Sequence, residues 1–104
     1  MRAETLRGHL DLLLLAVVAE APAHGYRIIE ELKRRSGGAF DLAEGTVYPA
    51  LHRLEQIGLL TSSWSHAGGR RRRVYRVTGR GRRQLGGDRR EWRRFVRAVE
   101  AVLT

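Results

Sequence analysis

Residues 45–60 read GTVYPALHRLEQIGLL, and this stretch has the features of one short helix. Thr46 is predicted to be its N-cap, because a hydroxyl oxygen can accept a hydrogen bond from the free N–H groups of a first turn. Pro49 then falls in that first turn, where a missing N–H costs nothing, and Gly58 is the expected C-cap. The apolar stripe consists of Val47, Ala50, Leu51 and Leu54.

The opposite face of this helix is unusual for a protein surface. Tyr48, His52 and Glu55 align at i, i+4 and i+7, with Arg53 and Gln56 beside them. Their hydrogen-bonding edges are suited to bases and phosphates, so the face predicts contact with DNA. The alternative is that Tyr48 packs against the preceding turn.

Two helices are predicted before this stretch. The first is apolar nearly all round and ends before Pro22, so it is expected to be buried on more than one side, one of them against a partner subunit. One of its faces consists of Leu6, Leu10, Leu13, Leu14, Val17 and Val18. The second helix is expected from about His24 to Arg35, where Gly37-Gly38 break the chain.

A β-hairpin is predicted after Leu60. Residues 61–66 alternate around Trp64, residues 67–69 are turn-forming, and residues 72–77 alternate around Tyr75. Trp64 and Tyr75 are expected to pair across the strands. The basic run Arg70, Arg71, Arg72 and Arg73 falls at or beside the tip. Three helices followed by such a hairpin predict a mainly α fold with a small β-hairpin, the order of a winged helix-turn-helix.

The remaining segment predicts a C-terminal helix capped by Thr78 and weakened or interrupted at Gly86-Gly87. Its apolar residues have heptad spacing and predict a dimer interface together with Leu6, Leu10 and Leu13. These residues are Trp92, Phe95, Val96, Val99, Val102 and Leu103. The alternative, compatible with dimerisation, is that the helix folds back on the first helix. The domains expected are 1–78 for DNA binding and 79–104 for dimerisation.

The charge is strongly asymmetric. The net charge is +9, and residues 61–104 carry thirteen Arg against three acidic residues. A basic second half predicts a polyanionic partner. The absence of cysteine excludes disulfides, thiolate zinc sites and cysteine nucleophiles. The four histidines are scattered and no metal-ligand spacing is evident, so neither an enzyme nor a cofactor is predicted.

The first residues mimic a signal peptide, since Arg2 and Arg7 precede an apolar core. However, Glu4 and Asp11 place acidic charge before that core, and the fold needs the segment as a helix. An apolar run of ~20 residues, as a membrane span requires, is absent from the sequence. We therefore expect a cytoplasmic protein without membrane contact.

Several of these segments resemble the PadR-like transcriptional regulators, in particular the short forms with one C-terminal helix. The similarity rests on residues 10–15, His24-Gly25-Tyr26 with Ile28-Ile29, residues 44–55, Gly58-Leu59-Leu60 and residues 72–78. The chain departs from the family pattern at Gly79, where many members have Pro, and at Gly86-Gly87, where an unbroken helix is usual.

The resemblance implies a winged helix-turn-helix dimer that represses transcription and releases a palindromic operator when an effector binds. The helix starting at Thr46 would enter the major groove, with Tyr48, His52 and Arg53 facing DNA and Pro49 among the DNA-binding residues. His24 and Tyr26 would lie by the phosphate backbone, and Arg70 to Arg73 would neutralise phosphates. The alternative is a basic, nucleoid-type DNA-binding module without sequence preference or effector.

The resemblance also implies a ligand, because some PadR-like proteins hold flat aromatic compounds between subunits, against aromatic residues of the last helix. Trp92 and Phe95 are the matching residues here. The alternative is that Trp92 is a buried residue of the dimer seam. The expected partners are thus double-stranded DNA, a second copy of the chain and a small aromatic effector.

Overall fold

A computed structural model of the protein describes Leu6 and residues 8–104. In chain order its elements are α1 (Leu10–Glu20), β1 (Ala23–His24), α2 (Gly25–Arg35), α3 (Glu44–Gln56), β2 (Leu60–Ser65), β3 (Arg72–Val77) and α4 (Gly79–Leu103). A 3₁₀ turn, Ala67–Gly69, joins β2 to β3. The predicted fold class, mainly α with a small β-hairpin, is confirmed.

The strands form a three-stranded antiparallel sheet in the order β1-β3-β2. Sequence analysis missed β1, which has two residues and is too short to show alternation. The predicted pairing of Trp64 with Tyr75 is wrong, because the hairpin turn is centred between Gly68 and Gly69. This register places Trp64 opposite Arg73 and Ser62 opposite Tyr75.

The start of α3 also differs from the prediction. The N-cap is Ala43 and the helix begins at Glu44, three residues earlier than predicted, so Thr46 is not the N-cap. The backbone N–H of Thr46 already donates to the carbonyl of Ala43 at 3.0 Å. Pro49 therefore lies in the second turn, where it leaves the carbonyl of Gly45 without its helical donor. Both residues are exposed, so water can satisfy that carbonyl.

The end of α3 is as predicted. Gly58 has φ +83°. The N–H of Leu59 donates to the carbonyl of Leu54 at 2.9 Å, and that of Gly58 to Glu55 at 3.1 Å. These two bonds form a Schellman motif, which uses the left-handed conformation that glycine adopts without strain.

The core lies between α1, α2, α3 and the sheet, with α1 in contact with all of them. Its fully buried side chains are Leu14, Leu15, Val18, Ile28, Val47, Leu51, Leu54 and Leu60. Burial of each such side chain stabilises the fold by about 1.5–3 kcal/mol relative to exposure. The outer face of α3 is left in solvent.

Helix α4 begins as predicted at Thr78, whose Oγ1 accepts from the N–H of Gly81 at 3.0 Å and donates to the carbonyl of Gly58 at 2.7 Å. The helix then continues through Gly86-Gly87 without a break, so the predicted interruption is wrong. Leu85, buried against the core, holds this part of the helix in place. Packing thus outweighs the low helix propensity of the two glycines.

Helix α4 folds back on α1, which was the alternative considered above, but it contacts α1 over only part of its length. Trp92 contacts His9 edge to face at 4.9 Å between ring centroids. Beyond it Phe95, Val99, Val102 and Leu103 are exposed, Val102 to 85%. Every helix in the described part of the chain is too short or too polar to span a bilayer.

Candidate nucleic-acid interface

The start of α2, the start of α3 and the β2–β3 hairpin, here called the wing, surround one open groove of about 720 Å³. We call it the wing groove. Aromatic rings and guanidinium groups line most of it: His24, Gly25, Tyr26, Glu44, Tyr48, Trp64, Arg70, Arg71, Arg72, Arg73 and Tyr75. The structure therefore brings most of the predicted DNA-contacting residues to one place, although they are up to 49 positions apart in the chain.

Tyr48 lies where α3 meets α2. Its ring covers the Cα of Gly25 so closely that a Cβ there would come within 2.5 Å of the ring Cε1 atom. The tyrosine nevertheless stays 40% exposed. It therefore packs on the preceding element, as the alternative supposed, and still presents part of its ring to the groove.

The four arginines of the wing have different surroundings. The guanidinium of Arg71 lies 4.1 Å above the ring of Trp64, a cation–π contact. Arg72 Nη1 lies 2.9 Å from His24 Nε2. Arg70 makes no hydrogen bond or ion pair with any residue that the structure describes.

Arg73 is held by a cluster that sequence analysis missed. Its Nε–H donates to Ser62 Oγ at 2.7 Å, and Ser62 Oγ–H donates to Glu55 Oε2 at 2.7 Å. Arg73 Nη2 is also 3.8 Å from Glu55 Oε2. The cluster links both wing strands to α3. A prediction that centred the hairpin turn between Gly68 and Gly69 would have placed Arg73 opposite Trp64.

The imidazole of His24 is approached by two hydrogen-bond donors, but in its neutral form it has only one nitrogen that can accept. Its Nδ1 accepts from the backbone N–H of Arg27 at 3.2 Å, capping α2, while Nε2 faces Arg72. A neutral imidazole has one acceptor nitrogen, so it serves one donor at a time. Burial and then the charge of Arg72 lower the pKa of His24 below its ordinary value of 6.5. The ring is therefore neutral at pH 7.

On α3, Thr46, Pro49 and His52 are exposed on the same face as Tyr48. Arg53 instead forms an ion pair with Asp11 of α1. This pair sits at the edge of the face, with the Arg53 side chain still 51% exposed.

The residues predicted to bind an effector line a second cleft. Trp92 and Phe95 have ring centroids 6.0 Å apart, and with His9, Leu12 and acidic side chains they line an open cleft of about 440 Å³, here called the α1–α4 cleft. The acidic residues are Asp11, Asp88 and Glu91. Across the described residues, no group of three or more His, Cys, Asp or Glu could hold a metal ion.

The predicted dimer residues divide into two sets. Leu6 is buried, and Leu10, Leu13 and Val96 are partly buried. The others are exposed on α4: Trp92, Phe95, Val99, Val102 and Leu103.

Comparison with known proteins agrees with this architecture. The family model of the PadR-like transcriptional regulators matches residues 14–87. The chain belongs to the PadR-like family. This PadR-like protein is 41% identical over 96 residues to the transcriptional regulator Rv3488 of Mycobacterium tuberculosis, covering 92% of this chain and 87% of that one.

Solved PadR-family structures superimpose on almost the whole protein. A PadR family transcriptional regulator from Eggerthella lenta shares 34% identity at a TM-score of 0.83, over 96% of this chain and 86% of that one. A PadR family regulator from Clostridium difficile shares 31% identity at a TM-score of 0.82, over 92% and 99%. The protein is thus a transcriptional regulator with a winged-helix, DNA-binding fold.

Proposed function

We propose that this PadR-like protein is a cytoplasmic homodimeric repressor that recognises a palindromic operator. In this proposal residues 1–78 bind DNA and residues 79–104 dimerise. The observation that carries it is the wing groove, where the exposed face of α3, the start of α2 and the basic wing tip converge. One phosphate backbone running through the groove would contact all three elements while α3 occupies the adjacent major groove.

In this arrangement α3 supplies sequence discrimination. Tyr48 and His52, with Thr46 and Pro49 beside them, present hydroxyl, imidazole and apolar groups to base edges. Arg53 can join them after leaving Asp11. Because that ion pair is exposed, exchanging it for a base or phosphate contact costs at most about 1 kcal/mol.

His24 and Arg72 are suited to hold one phosphate between them. His24 Nδ1 caps α2, which leaves the proton on Nε2, pointing at the guanidinium of Arg72. A phosphate oxygen accepts from both groups and so removes the competition between the two donors. The start of α2 adds its positive dipole end at the same point.

The wing arginines then have separate roles. Arg70 and Arg71 contact phosphates, Arg71 with its guanidinium stacked on Trp64. Arg73 mainly positions the wing through Ser62 and Glu55. Such contacts supply affinity that depends on salt and not on sequence.

The dimer is formed through the exposed seam of α4. Val102 and Leu103 at its end are 85% and 74% exposed, and the seam continues to Trp92 at heptad spacing. A second copy is the simplest cover for such a surface. Two-fold symmetry then predicts half-sites about 34–36 Å apart or a multiple of that distance.

Repression would be released by a small aromatic compound in the α1–α4 cleft, stacked on Trp92 and Phe95. The cleft carries Asp11, Asp88 and Glu91, which favour a neutral or cationic ring over an aromatic acid. The test is quenching of Trp92 fluorescence in a Trp64→Phe background. The Trp92→Phe variant, whose one remaining tryptophan is Trp64 in the wing, should show no quenching.

DNA recognition is tested by selecting binding sites from random duplex DNA and measuring affinity against salt. Arg71→Ala/Arg72→Ala should weaken all sequences alike and lower the slope of log K against log salt by up to ~2, since each phosphate contact contributes ~0.9. Lys33→Ala/Arg34→Ala, at the other end of α2, changes the net charge equally and should leave the slope unaltered. His52→Ala should instead relax the selected sequence.

Two outcomes contradict the proposal. If random duplex binds as tightly as any selected site, the protein is a non-specific basic module. If sequence preference collapses in Arg71→Ala/Arg72→Ala while non-specific binding persists, the wing and not α3 supplies discrimination.

A further inference from the structure

The outer face of α4 carries a concentration of charge that the wing groove does not use. Seven arginines on it are all exposed: Arg82, Arg83, Arg89, Arg90, Arg93, Arg94 and Arg97. At 3.6 residues per turn they occupy an arc of about 140° and extend ~22 Å along the helix. We call this surface the arginine face. The apolar seam of Leu85, Trp92 and Val99 lies on the opposite side.

Helix α2 also carries a series of exposed cations, but these are paired with acids. On α2, Arg27, Arg34 and Arg35 all contact Glu31, and Lys33 lies 3.6 Å from Asp41. On the arginine face, the one ion pair among the described residues is Arg94 with Glu91, at 3.8 Å. An ordinary solvated helix face would resemble α2, whereas the acids beside the arginine face are Glu91 and Glu100, too few to neutralise seven arginines.

The spacing of these arginines along α4 makes their unneutralised positive charge destabilising. Arg89, Arg93 and Arg97 follow one another at i, i+4 and i+8, and Arg90 and Arg94 form a second row beside them. Like charges at this spacing repel and destabilise a helix. A polyanion lying along the helix would turn this repulsion into attraction.

The arginine face is separate from the proposed operator site. Every residue that lines the wing groove precedes α4 in the chain. The seam of α4 faces α1 through Leu85 and Trp92, so the arginines point away from α1. A second copy on the seam would leave both arginine faces on the outside of the dimer.

The chemistry favours the phosphates of nucleic acid over a lipid surface. Helices that lie on membranes insert an apolar face between lipids, but no apolar side chain interrupts the arginine face and the seam opposite is the proposed dimer contact. The guanidinium fork matches phosphate oxygens in pairs. Resting on the function proposed above, we propose that the arginine face binds a second DNA duplex, so that an operator-bound dimer can bridge two DNA segments.

The experiment uses the full-length protein on a bead-bound duplex that carries both selected half-sites. After excess protein is washed away, a labelled duplex of random sequence is added and its capture is measured against salt. We expect capture by the wild type. Arg89→Gln/Arg93→Gln/Arg97→Gln should lower the salt slope of capture by about 2.7, or 0.9 for each phosphate lost. Its affinity for the selected duplex should stay within about twofold, a small change on the scale of one phosphate contact.

Lys33→Gln/Arg34→Gln/Arg35→Gln is the matched control, since it removes three cations from α2 and should leave capture unchanged. The inference is overturned if the wild type captures no second duplex under conditions that retain the first. It is equally overturned if the α4 variant captures as well as wild type, or if anionic vesicles or RNA are captured and duplex DNA is not.

Failure of the proposed function gives a different result, namely no preference for any selected duplex over random sequence. In that case Arg71→Ala/Arg72→Ala isolates the α4 contribution. Its remaining duplex binding should disappear on adding the three α4 substitutions, and binding that persists would also overturn the inference.

Discussion

The junction between the wing and α4 gives the sharpest test of the packing. Gly81 is buried in the first turn of α4, and a Cβ at this position would lie 2.1 Å from the carbonyl oxygen of Leu59 and 2.7 Å from Val77 Cγ2. Ordinary contacts begin near 3.4 Å, so Gly81→Ala must push α4 away from the sheet by more than 1 Å. The shift would also break the bond from the Gly81 N–H to Thr78 Oγ1.

The magnitude follows from three effects. Overpacking costs typically about 1–3 kcal/mol, and a clash with backbone belongs at the upper end. Loss of the Thr78 cap adds about 1 kcal/mol, and the better helix propensity of alanine returns about 1 kcal/mol. We therefore expect Gly81→Ala to lower the free energy of unfolding by about 3 kcal/mol. For a chain of this size that corresponds to a Tm about 12–24 °C lower.

Thermal unfolding followed by circular dichroism, at one protein concentration for all variants, measures this change. Gly79→Ala is the control, because it makes the same substitution two residues earlier, where the nearest atom to a Cβ is Arg83 Nη1 at 3.5 Å. It should leave stability unchanged or slightly raised. If Gly81→Ala unfolds within about 1 kcal/mol of wild type, the close packing of α4 on Leu59 is refuted.

Three further outcomes are expected. The pKa of His24 lies below its ordinary value of 6.5, so on acidification the unfolded chain protonates this imidazole before the folded protein does, and stability should fall as the pH drops below 6.5. A bound phosphate favours the protonated ring, so DNA affinity should rise over the same pH range. Both trends should be absent in His24→Asn, measured by thermal unfolding and fluorescence anisotropy. Gly86→Ala and Gly87→Ala should each stabilise the protein by up to ~1 kcal/mol in thermal unfolding, and destabilisation would contradict an unbroken α4. Asp11→Asn frees Arg53 and should raise DNA affinity by up to ~5-fold in anisotropy titrations, an effect that must vanish when Arg53→Gln is added.

The elements of the fold could be predicted because each has a local signal. The apolar spacing of α3 and the glycine after it identify that helix without knowledge of the rest. Its first residue could not be predicted, since Thr46 is a good N-cap by type, yet the chain enters the helix at Glu44 without a side-chain cap. The continuity of α4 through Gly86-Gly87 depends on packing of Leu85, which no local pattern shows.

The sequence was enough to predict which residues form the candidate site, but not which contacts these residues make with one another. Tyr48 and the wing arginines were identified from residue type and from the resemblance. Their separate environments depend on contacts between distant positions: Arg72 meets His24 across 48 residues. Arg73 reaches Ser62 and Glu55 only in the register that the turn imposes. Such pairings are a property of the assembled sheet.

The cluster of Glu55, Ser62 and Arg73 has a consequence for how DNA is chosen. It ties the wing to α3 through the hydrogen bond from Ser62 to Glu55 at 2.7 Å and the ion pair of Arg73 with Glu55 at 3.8 Å, so movement of one proposed DNA-contacting element relative to the other is restrained. A rigid pair of this kind demands one distance between the major groove and the neighbouring backbone. We therefore expect the protein to prefer sites whose minor groove already has the matching width, and to show sequence preference at base pairs that no side chain touches.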